Sequence, residues 1–215
     1  MSSQPSPSGF RIHALFPTLV GEFELPGAEA LNTELAAYIH WREQQEFNHS
    51  SLTTVNQGWQ SGLDLLDAEV PPMQTLRRLI NQHVEAFLAE WGRLTHSAAA
   101  PQAFRYSYRG WAVILRQGGF QHEHVHSRTN LVGVYYVQVP TPSPGVDPGG
   151  ALSLTDPRAG RLATRAMWDV DRISLQPAAG KLVLFPSFLP HRVEQQRAPG
   201  ERISINFDVQ LEAIL

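Results

Sequence analysis

Apolar residues recur at helical spacing in two segments of the N-terminal half of the chain. The first spans residues 28–47, and the second, 73–94, follows the dipeptide Pro71-Pro72. Side chains three or four positions apart lie on one face of a helix, and a helix tolerates proline in its first turn. The sequence therefore predicts two amphipathic helices, joined by a loop that contains Gly58 and Gly62. Their apolar stripes are formed by Leu31, Leu35, Tyr38 and Ile39, and by Leu76, Leu79, Ile80, Val84, Phe87, Leu88 and Trp91.

After Thr95 the helical spacing gives way to short apolar runs separated by glycine and proline. Residues 10–25 are also rich in β-branched and aromatic residues and contain one proline, which favours one or two short edge strands. Two helices followed by several short strands are typical of an α+β chain whose C-terminal half is a β-sandwich or barrel. The C-terminal strands are predicted at residues 106–115, 131–139, 151–154, 181–185 and 202–211.

The length of 215 residues favours one domain, because a domain contains about 150 residues. We expect residues 1–9 to form a flexible tail and residues 10–215 to form a single domain. Within that domain, residues 10–100 are predicted to form a buttress of strand and helices, and residues 101–215 the β-barrel. Residues 141–150 contain six proline or glycine residues, which predicts a loop and a candidate lid.

The charge and composition of the chain exclude several classes of function. Seventeen Lys and Arg residues against 20 Asp and Glu residues give a net charge of −3, without the basic surface that nucleic-acid binders need. No run approaches the ~18 consecutive apolar residues of a membrane span, and the N-terminus lacks the pattern of a secretion signal. We therefore expect a cytoplasmic protein without nucleic-acid or membrane partners. The chain has no cysteine, so any metal must be held by nitrogen or oxygen atoms.

Three of the nine histidines, His122, His124 and His126, lie within five residues. Side chains alternate between the faces of a strand, so His124 and His126 would point to the same side, with Cα atoms about 6.6 Å apart. Two imidazoles in this arrangement can bind one metal ion. The spacing alone is equally compatible with a polar surface loop, and a shifted register would pair His122 with His124 instead.

A fourth histidine and an alternating segment favour a metal site inside the barrel. His191 follows the apolar run LVLFPSFLP and thus lies at a strand end. From residue 202 to residue 209 polar and apolar residues alternate, which places all the polar ones on one face of a strand. Taken alone, that face would be in water, but together with the upstream histidines it is better explained as the lining of a cavity. The polar residues are Arg202, Ser204, Asn206 and Asp208.

Four segments together resemble the iron(II)- and 2-oxoglutarate-dependent oxygenases, a family built on a double-stranded β-helix, and more narrowly a bacterial group of that family. The resemblance is carried by the order of a histidine pair, a Gly-Val-Tyr-Tyr strand, a Gly-Lys-Leu-Val-Leu-Phe-Pro strand, a distal histidine and Arg-x-Ser. It covers roughly residues 106–210. The segments are HVHSRTNLVGVYYV at 124–137, DPR at 156–158, PAAGKLVLFPSFLPHRV at 177–193 and RISINF at 202–207.

The resemblance implies an architecture, two cofactors and a reaction. The architecture is a double-stranded β-helix, or jelly roll, with the N-terminal helices packed against it and Fe(II) held in its cavity. The enzyme would be a 2-oxoglutarate-dependent dioxygenase that hydroxylates an unknown small-molecule or peptide substrate and releases succinate and carbon dioxide. The resemblance assigns the metal to His124, His126 and His191, and the cosubstrate 2-oxoglutarate to Arg202, Ser204 and Tyr136.

The first metal motif departs from the pattern of the wider superfamily. His126 stands where most members have Asp or Glu, so three neutral imidazoles would leave the bound ion with a charge of +2 instead of +1. This departure keeps two alternatives open: a three-histidine iron dioxygenase that does not use 2-oxoglutarate, and a non-enzymatic, cupin-like metal-binding module. It also leaves open a remote carboxylate as the third ligand in place of His126.

Overall fold

The computed structural model of the chain describes residues 16–95, 105–141, 144–158 and 170–212. The predicted flexible tail, residues 1–9, lies outside the described residues. Within the described part of the chain, no helix is both long enough and apolar enough to cross a membrane.

Both predicted helices are present, and most of each apolar stripe is buried, with Leu31, Tyr38, Leu79 and Trp91 half-buried. Helix α1 spans Glu29–Gln45 and helix α2 spans Pro71–Leu94, with both prolines in the first turn of α2. Two short 3-10 helices, His49–Leu52 and Leu65–Asp67, lie between them. Removing apolar surface from water is the main force that holds these helices in place. The buried apolar side chains of the two helices are Leu35, Ile39, Met73, Leu76, Ile80, Val84, Phe87 and Leu88.

Strands β1 to β9 complete the part of the chain that the structure describes. Strands β4, β5, β7 and β9 lie within a few residues of the predicted C-terminal strands, and β1 lies in the predicted N-terminal strand region. The strands span Gly21–Glu24 (β1), Val55–Gln60 (β2), Arg105–His124 (β3), Leu131–Gln138 (β4), Leu152–Thr155 (β5), Arg172–Leu175 (β6), Lys181–Pro186 (β7), His191–Val193 (β8) and Arg202–Glu212 (β9).

Strand β3 takes part in both sides of a curled, antiparallel sheet. Its first half, from Arg105 to Leu115, pairs with β9, and its second half, from Gln121 to His124, pairs with β8. Between the halves lies Gly118, whose φ of +91° is readily adopted only by glycine. The strand order is β1-β7-β4-β9-β3-β8-β5-β6, and β2 also pairs with β3. This is the double-stranded β-helix of the predicted α+β fold.

Two adjacent tyrosines on β4 show how the core is divided into two layers. The hydroxyl of Tyr135 donates a 2.6 Å hydrogen bond to Oδ1 of Asn32 in α1, so this side chain faces the helices. Successive strand residues point to opposite faces, and Tyr136 accordingly packs inside the barrel with Val134 and Phe185. The helices therefore cover one face of the sheet, while the other face lines the barrel interior.

Four parts of the sheet differ from the sequence prediction, one of which is the short strand β8, which was not predicted. Strand β2 lies in the predicted loop, and a bulge at Gln57, where φ is +50°, interrupts its pairing with β3. Strand β6 was not predicted, because it is an exposed strand that pairs with β5 and lacks a buried face. The predicted strand 106–115 continues to His124 as β3.

The segment 141–150, predicted as a loop and candidate lid, is fixed at its C-terminal end. The carbonyl of Pro148 accepts hydrogen bonds from the backbone N–H groups of Arg197 (2.8 Å) and Ala198 (3.0 Å). The backbone N–H of Gly150 donates to the carbonyl of Gln195 (3.2 Å). This end of the segment therefore forms a wall of the barrel.

Candidate active site

Three histidines from two strand ends and one loop meet inside the barrel. His124, the last residue of β3, pairs with His191, the first residue of β8. His126 follows β3, and its backbone N–H donates to the carbonyl of Ser187 (3.1 Å). The ring centroids of His124 and His191 are 4.3 Å apart, and each of the other two pairs is 5.1 Å apart. One nitrogen of each ring lies within 4.8 Å of the other two, so the three residues form one candidate metal centre.

Hydrogen bonds fix which nitrogen each ring presents. Nδ1 of His124 lies 2.7 Å from the carbonyl of His122, and Nδ1 of His191 lies 2.9 Å from the carbonyl of Leu189. Nδ1 of His126 lies 2.6 Å from the carboxylate of Asp208. Because carbonyl and carboxylate oxygens can only accept, each Nδ1 carries the hydrogen, which leaves Nε2 as the nitrogen that can bind a metal. Neutral imidazoles that present Nε2 in this way suit a divalent first-row metal.

Burial keeps two of these rings neutral. Burial, together with a smaller effect of the nearby His124, lowers the pKa of His191 to about 3. Burial is also the main cause of the lowered pKa of His124. Both rings are therefore free of the competing proton at neutral pH, as metal binding requires.

Aromatic side chains surround the histidine group. The indole of Trp111 stacks on the ring of His126, with centroids 5.7 Å apart and planes at 26°. The ring of Phe185 contacts His191 edge-on at 4.8 Å. These contacts hold the imidazoles in place and limit the access of water to them.

The strand that carries the first two histidines ends earlier than predicted. Strand β3 ends at His124, so His126 lies just beyond the strand, but the side chains of His124 and His126 still point to the same side, as predicted. His122 is exposed and lies outside the three-histidine group, and its carbonyl supports His124.

The polar face of β9 lines the barrel interior, as the cavity interpretation predicted. Ser204 pairs with Tyr136 of β4 and with Val113 of β3, both of which are buried in the barrel. All four polar residues of this face are buried among the strands rather than solvated: Arg202, Ser204, Asn206 and Asp208.

Arg202 is a fully buried cation with spare hydrogen-bonding capacity. Its Nη1 donates to Oγ of Ser204 (3.1 Å) and its Nε donates to the carbonyl of Gly150 (3.1 Å). Its Nη2 and the hydroxyl of Tyr136 are both buried, and neither forms a hydrogen bond of good geometry among the described residues, although the two side chains lie against each other. No carboxylate in the described part of the chain pairs with this guanidinium. Burial lowers the pKa of Arg202 because the charged form is desolvated.

Asp208 is the functional candidate that the sequence did not assign. Its Oδ1 accepts from Nδ1 of His126, and its Oδ2 accepts from Nη2 of Arg109 at 3.1 Å. The alternation of β9 placed Asp208 on the polar face, but nothing in the sequence pattern joined it to His126, which lies 82 residues away.

Comparison with known families agrees with this geometry. A family model described as "Putative 2OG-Fe(II) oxygenase" matches residues 109–208, a range that contains all three histidines and the polar face of β9. No curated protein matches the sequence.

Solved structures share the fold at low sequence identity. A prolyl-4-hydroxylase from Pseudomonas putida is 19% identical, with a TM-score of 0.58, over 90% of this chain and 93% of that one. A prolyl hydroxylase from Trichoplax adhaerens, in complex with a hypoxia inducible factor peptide fragment, is 12% identical, with a TM-score of 0.56, over 89% and 83%. A non-heme alpha-ketoglutarate-dependent epimerase from nogalamycin biosynthesis is 13% identical, with a TM-score of 0.59, over 89% and 76%.

Proposed function

We propose that this chain is a 2OG-Fe(II) oxygenase, an enzyme that uses iron(II) and 2-oxoglutarate, because the model of that family matches residues 109–208, which contain the whole candidate site. The reaction is hydroxylation of a C–H bond in a second substrate, with conversion of 2-oxoglutarate to succinate and carbon dioxide. One observation carries the assignment of the cosubstrate. A fully buried arginine without a carboxylate partner lies on the strand face that leads to the three histidines.

The proposed metal ligands are Nε2 of His124, His126 and His191. Their Nδ1 hydrogens are already engaged, so the rings are oriented before the metal binds, and little reorganisation is needed. Iron(II) in this site supplies the activation of molecular oxygen. Because the protein would supply only three ligands, an ion held here could also bind the cosubstrate.

The proposed site for 2-oxoglutarate is formed by Arg202, Ser204 and Tyr136. Nη2 of Arg202 and the hydroxyl of Tyr136 can both donate to the distal carboxylate, and Oγ of Ser204 lies beside them. Burying a guanidinium without an anion costs free energy. A bound dicarboxylate would offset this cost by placing a negative charge beside Arg202. The keto acid end of the same molecule would then reach towards the metal.

Neither alternative function explains the buried group formed by Arg202, Ser204 and Tyr136. A three-histidine iron dioxygenase that does not use 2-oxoglutarate needs no anion site deep in the barrel, and neither does a cupin-like binding module. Arg202, with no exposed surface, would be an uncompensated charge in either of them.

The second substrate is proposed to be a small molecule or a peptide. The net charge of −3 supplies no basic surface for a nucleic acid. Two of the structural neighbours are prolyl hydroxylases, one of them in complex with a peptide fragment, which supports the peptide class. We propose that the enzyme acts in the cytoplasm, since its fold uses no disulfide bonds.

Formation of labelled succinate tests the proposal. Iron(II)-loaded protein is incubated in air with isotope-labelled 2-oxoglutarate, and succinate is measured by mass spectrometry for the wild type and for His191→Ala. We expect succinate from the wild type well above the amount from the variant. Equal amounts from the two proteins would overturn the proposed reaction.

A further inference from the structure

We propose that Asp208 is a positioning residue for the iron site. Without binding the metal itself, Asp208 supplies the negative charge that a carboxylate ligand would otherwise bring. The inference rests on the proposed function, because it concerns the metal which that site would hold. Asp208 would orient His126 and make its Nε2 a stronger donor.

The geometry joins Asp208 to one ligand by a short, buried hydrogen bond. Its Oδ1 lies 2.6 Å from Nδ1 of His126, and the two side chains are only 10% and 11% exposed. A hydrogen bond to an ionised acceptor is shorter and about twice as strong as a neutral one. His124 and His191 donate instead to uncharged backbone carbonyls, so His126 is the one ligand of the three that is hydrogen-bonded to Asp208.

The backbone shows why His126 is the ligand that needs this support. His124 and His191 lie within paired strands, β3 and β8, whereas His126 lies in the loop beyond β3. Asp208 lies within β9, between β3 and β4, where it pairs with Arg109 and Val132. The carboxylate therefore ties the one ligand that lies outside the strands to strand β9.

The charge of the proposed metal site also favours a carboxylate close to His126. A divalent ion with three neutral imidazoles keeps its full charge of +2, and a nearby carboxylate offsets part of it. Arg109 also pairs with Asp208, but its side chain is 55% exposed, so solvent screens its charge. The net effect of the pair at His126 is thus negative.

Asp208 is not itself the third ligand. Both of its oxygens already accept from donors, Oδ1 from His126 and Oδ2 from Arg109. Among the described residues, the group whose ligand atoms lie close together consists of the three histidines without Asp208. The remote carboxylate that the sequence left open as a ligand is thus better explained as a partner of His126.

The test measures metal affinity without any turnover. Iron(II) affinity is determined under anaerobic conditions by competition with a chelator, for full-length wild-type protein and for Asp208→Asn, which keeps the shape and removes the charge. We expect the affinity to fall by about 10–100-fold. Arg109→Ala, which breaks the ion pair and leaves the carboxylate on His126, should change it by no more than about fivefold.

A matched control is Asp147→Asn. Asp147 is also paired with an arginine, Arg197, but through exposed side chains away from the histidines, so its replacement should leave iron affinity unchanged. Equal affinity in the wild type and Asp208→Asn would overturn the role of Asp208 and leave the iron site intact. A wild type that binds no iron would instead overturn the proposed function itself.

A second measurement uses wild-type protein, so it does not depend on whether the variant folds. In zinc-loaded protein with 15N-labelled histidine, nuclear magnetic resonance should show the proton of His126 on Nδ1 and the metal-induced shift on Nε2. The same signals should be absent from His126→Ala. A metal-induced shift on Nδ1 of His126 would contradict the hydrogen bond to Asp208 and overturn the inference.

Discussion

The guanidinium carbon of Arg202 lies 4.8 Å from the centre of the Tyr136 ring, in the interior of the barrel. Each of these residues keeps one buried polar group that forms no hydrogen bond of good geometry among the described residues, Nη2 in Arg202 and the hydroxyl in Tyr136. Unpartnered buried donors are rare in folded proteins and usually mark a ligand or a functional role. We therefore predict that replacing either residue weakens the binding of 2-oxoglutarate.

Replacement of Arg202 should weaken the binding of 2-oxoglutarate and spare the metal. Removing one member of a buried charge pair costs about 2–5 kcal/mol, roughly thirty-fold to several-thousand-fold in affinity. Calorimetry on iron-loaded, oxygen-free protein should show that loss for Arg202→Ala, with iron content nearly unchanged. Arg202→Lys should recover only part of the affinity, because an ammonium cannot make two parallel bonds to a carboxylate.

The control for this series is Arg116→Ala. Arg116 pairs with Glu43 and Glu201 and is about half exposed, so its loss should leave 2-oxoglutarate affinity unchanged. If Arg202→Ala bound 2-oxoglutarate as the wild type does, Arg202 would have a structural role, and the three-histidine and cupin-like alternatives would be favoured.

Tyr136→Phe should weaken the binding of 2-oxoglutarate without lowering the stability of the fold. The lost hydroxyl forms no hydrogen bond of good geometry among the described residues, so the free energy of unfolding of the ligand-free protein should change little. A lost hydrogen bond to a carboxylate should weaken 2-oxoglutarate binding by roughly tenfold or more. Denaturant titration and calorimetry measure the two effects.

Tyr135→Phe is the matched comparison for Tyr136→Phe. Tyr135 donates to Asn32, away from the barrel interior, so this variant should lose about 1 kcal/mol of stability and keep its 2-oxoglutarate affinity. The interpretation of Tyr136 fails if Tyr136→Phe is the variant that loses stability while binding 2-oxoglutarate normally.

Single alanine replacements should separate the metal ligands from other histidines. His124→Ala, His126→Ala and His191→Ala should each lose most of the bound iron in metal analysis after anaerobic reconstitution. His83→Ala should keep it, because His83 lies on α2, where its ring contacts Phe23, and it is outside the three-histidine group. His126→Asp, which restores the carboxylate of the wider superfamily, should still bind iron. Normal iron content in His126→Ala would show that the third ligand lies elsewhere.

The metal-free protein should lose stability on acidification. The pKa of His191 is about 3 in the folded chain and 6.5 in an ordinary environment, so between these values the unfolded chain binds the extra proton. The contribution of His191 to stability is therefore complete above pH 6.5 and falls as the pH drops towards 3. At about 1.4 kcal/mol per pKa unit, the loss between pH 7 and pH 5 is about 2 kcal/mol.

Urea unfolding of wild type and His191→Asn at the two pH values measures this loss. The variant keeps a side-chain donor near the carbonyl of Leu189 but does not titrate, so its stability should fall less than that of the wild type. Parallel losses in the two proteins would assign the acid sensitivity to other groups.

The hydrophobic periodicity of the sequence predicted the helices and strands that bury only one face. The stripe of α2 and the alternation of β9 were both visible, because each places its apolar residues at the period of its own geometry. Strand β2 was not predicted, since its sequence VNQGWQ contains a bulge at Gln57 and two further polar residues. Strand β6 is exposed, so its sequence carries no signal of a buried face.

The site was predictable as a set of residue types but not as a network of contacts. His124, His126 and His191 were identifiable by spacing and resemblance, and the structure brings them together. The hydrogen bond between Asp208 and His126, and the stacking of Trp111 on His126, depend on how β9 and β3 lie beside the loop after β3. Contacts over such sequence distances follow from the fold and have no local signature.

The central claim is that one cavity holds iron(II) and 2-oxoglutarate together, and an anaerobic spectroscopic titration tests it most directly. Iron(II) is added to the wild-type protein with and without 2-oxoglutarate, and the weak visible charge-transfer band that chelation by 2-oxoglutarate produces is recorded. We expect the band only when both are present, saturating at one equivalent of each per chain, and at higher 2-oxoglutarate concentrations for Arg202→Ala. A protein that binds iron but gives no band at any concentration of 2-oxoglutarate would contradict the claim.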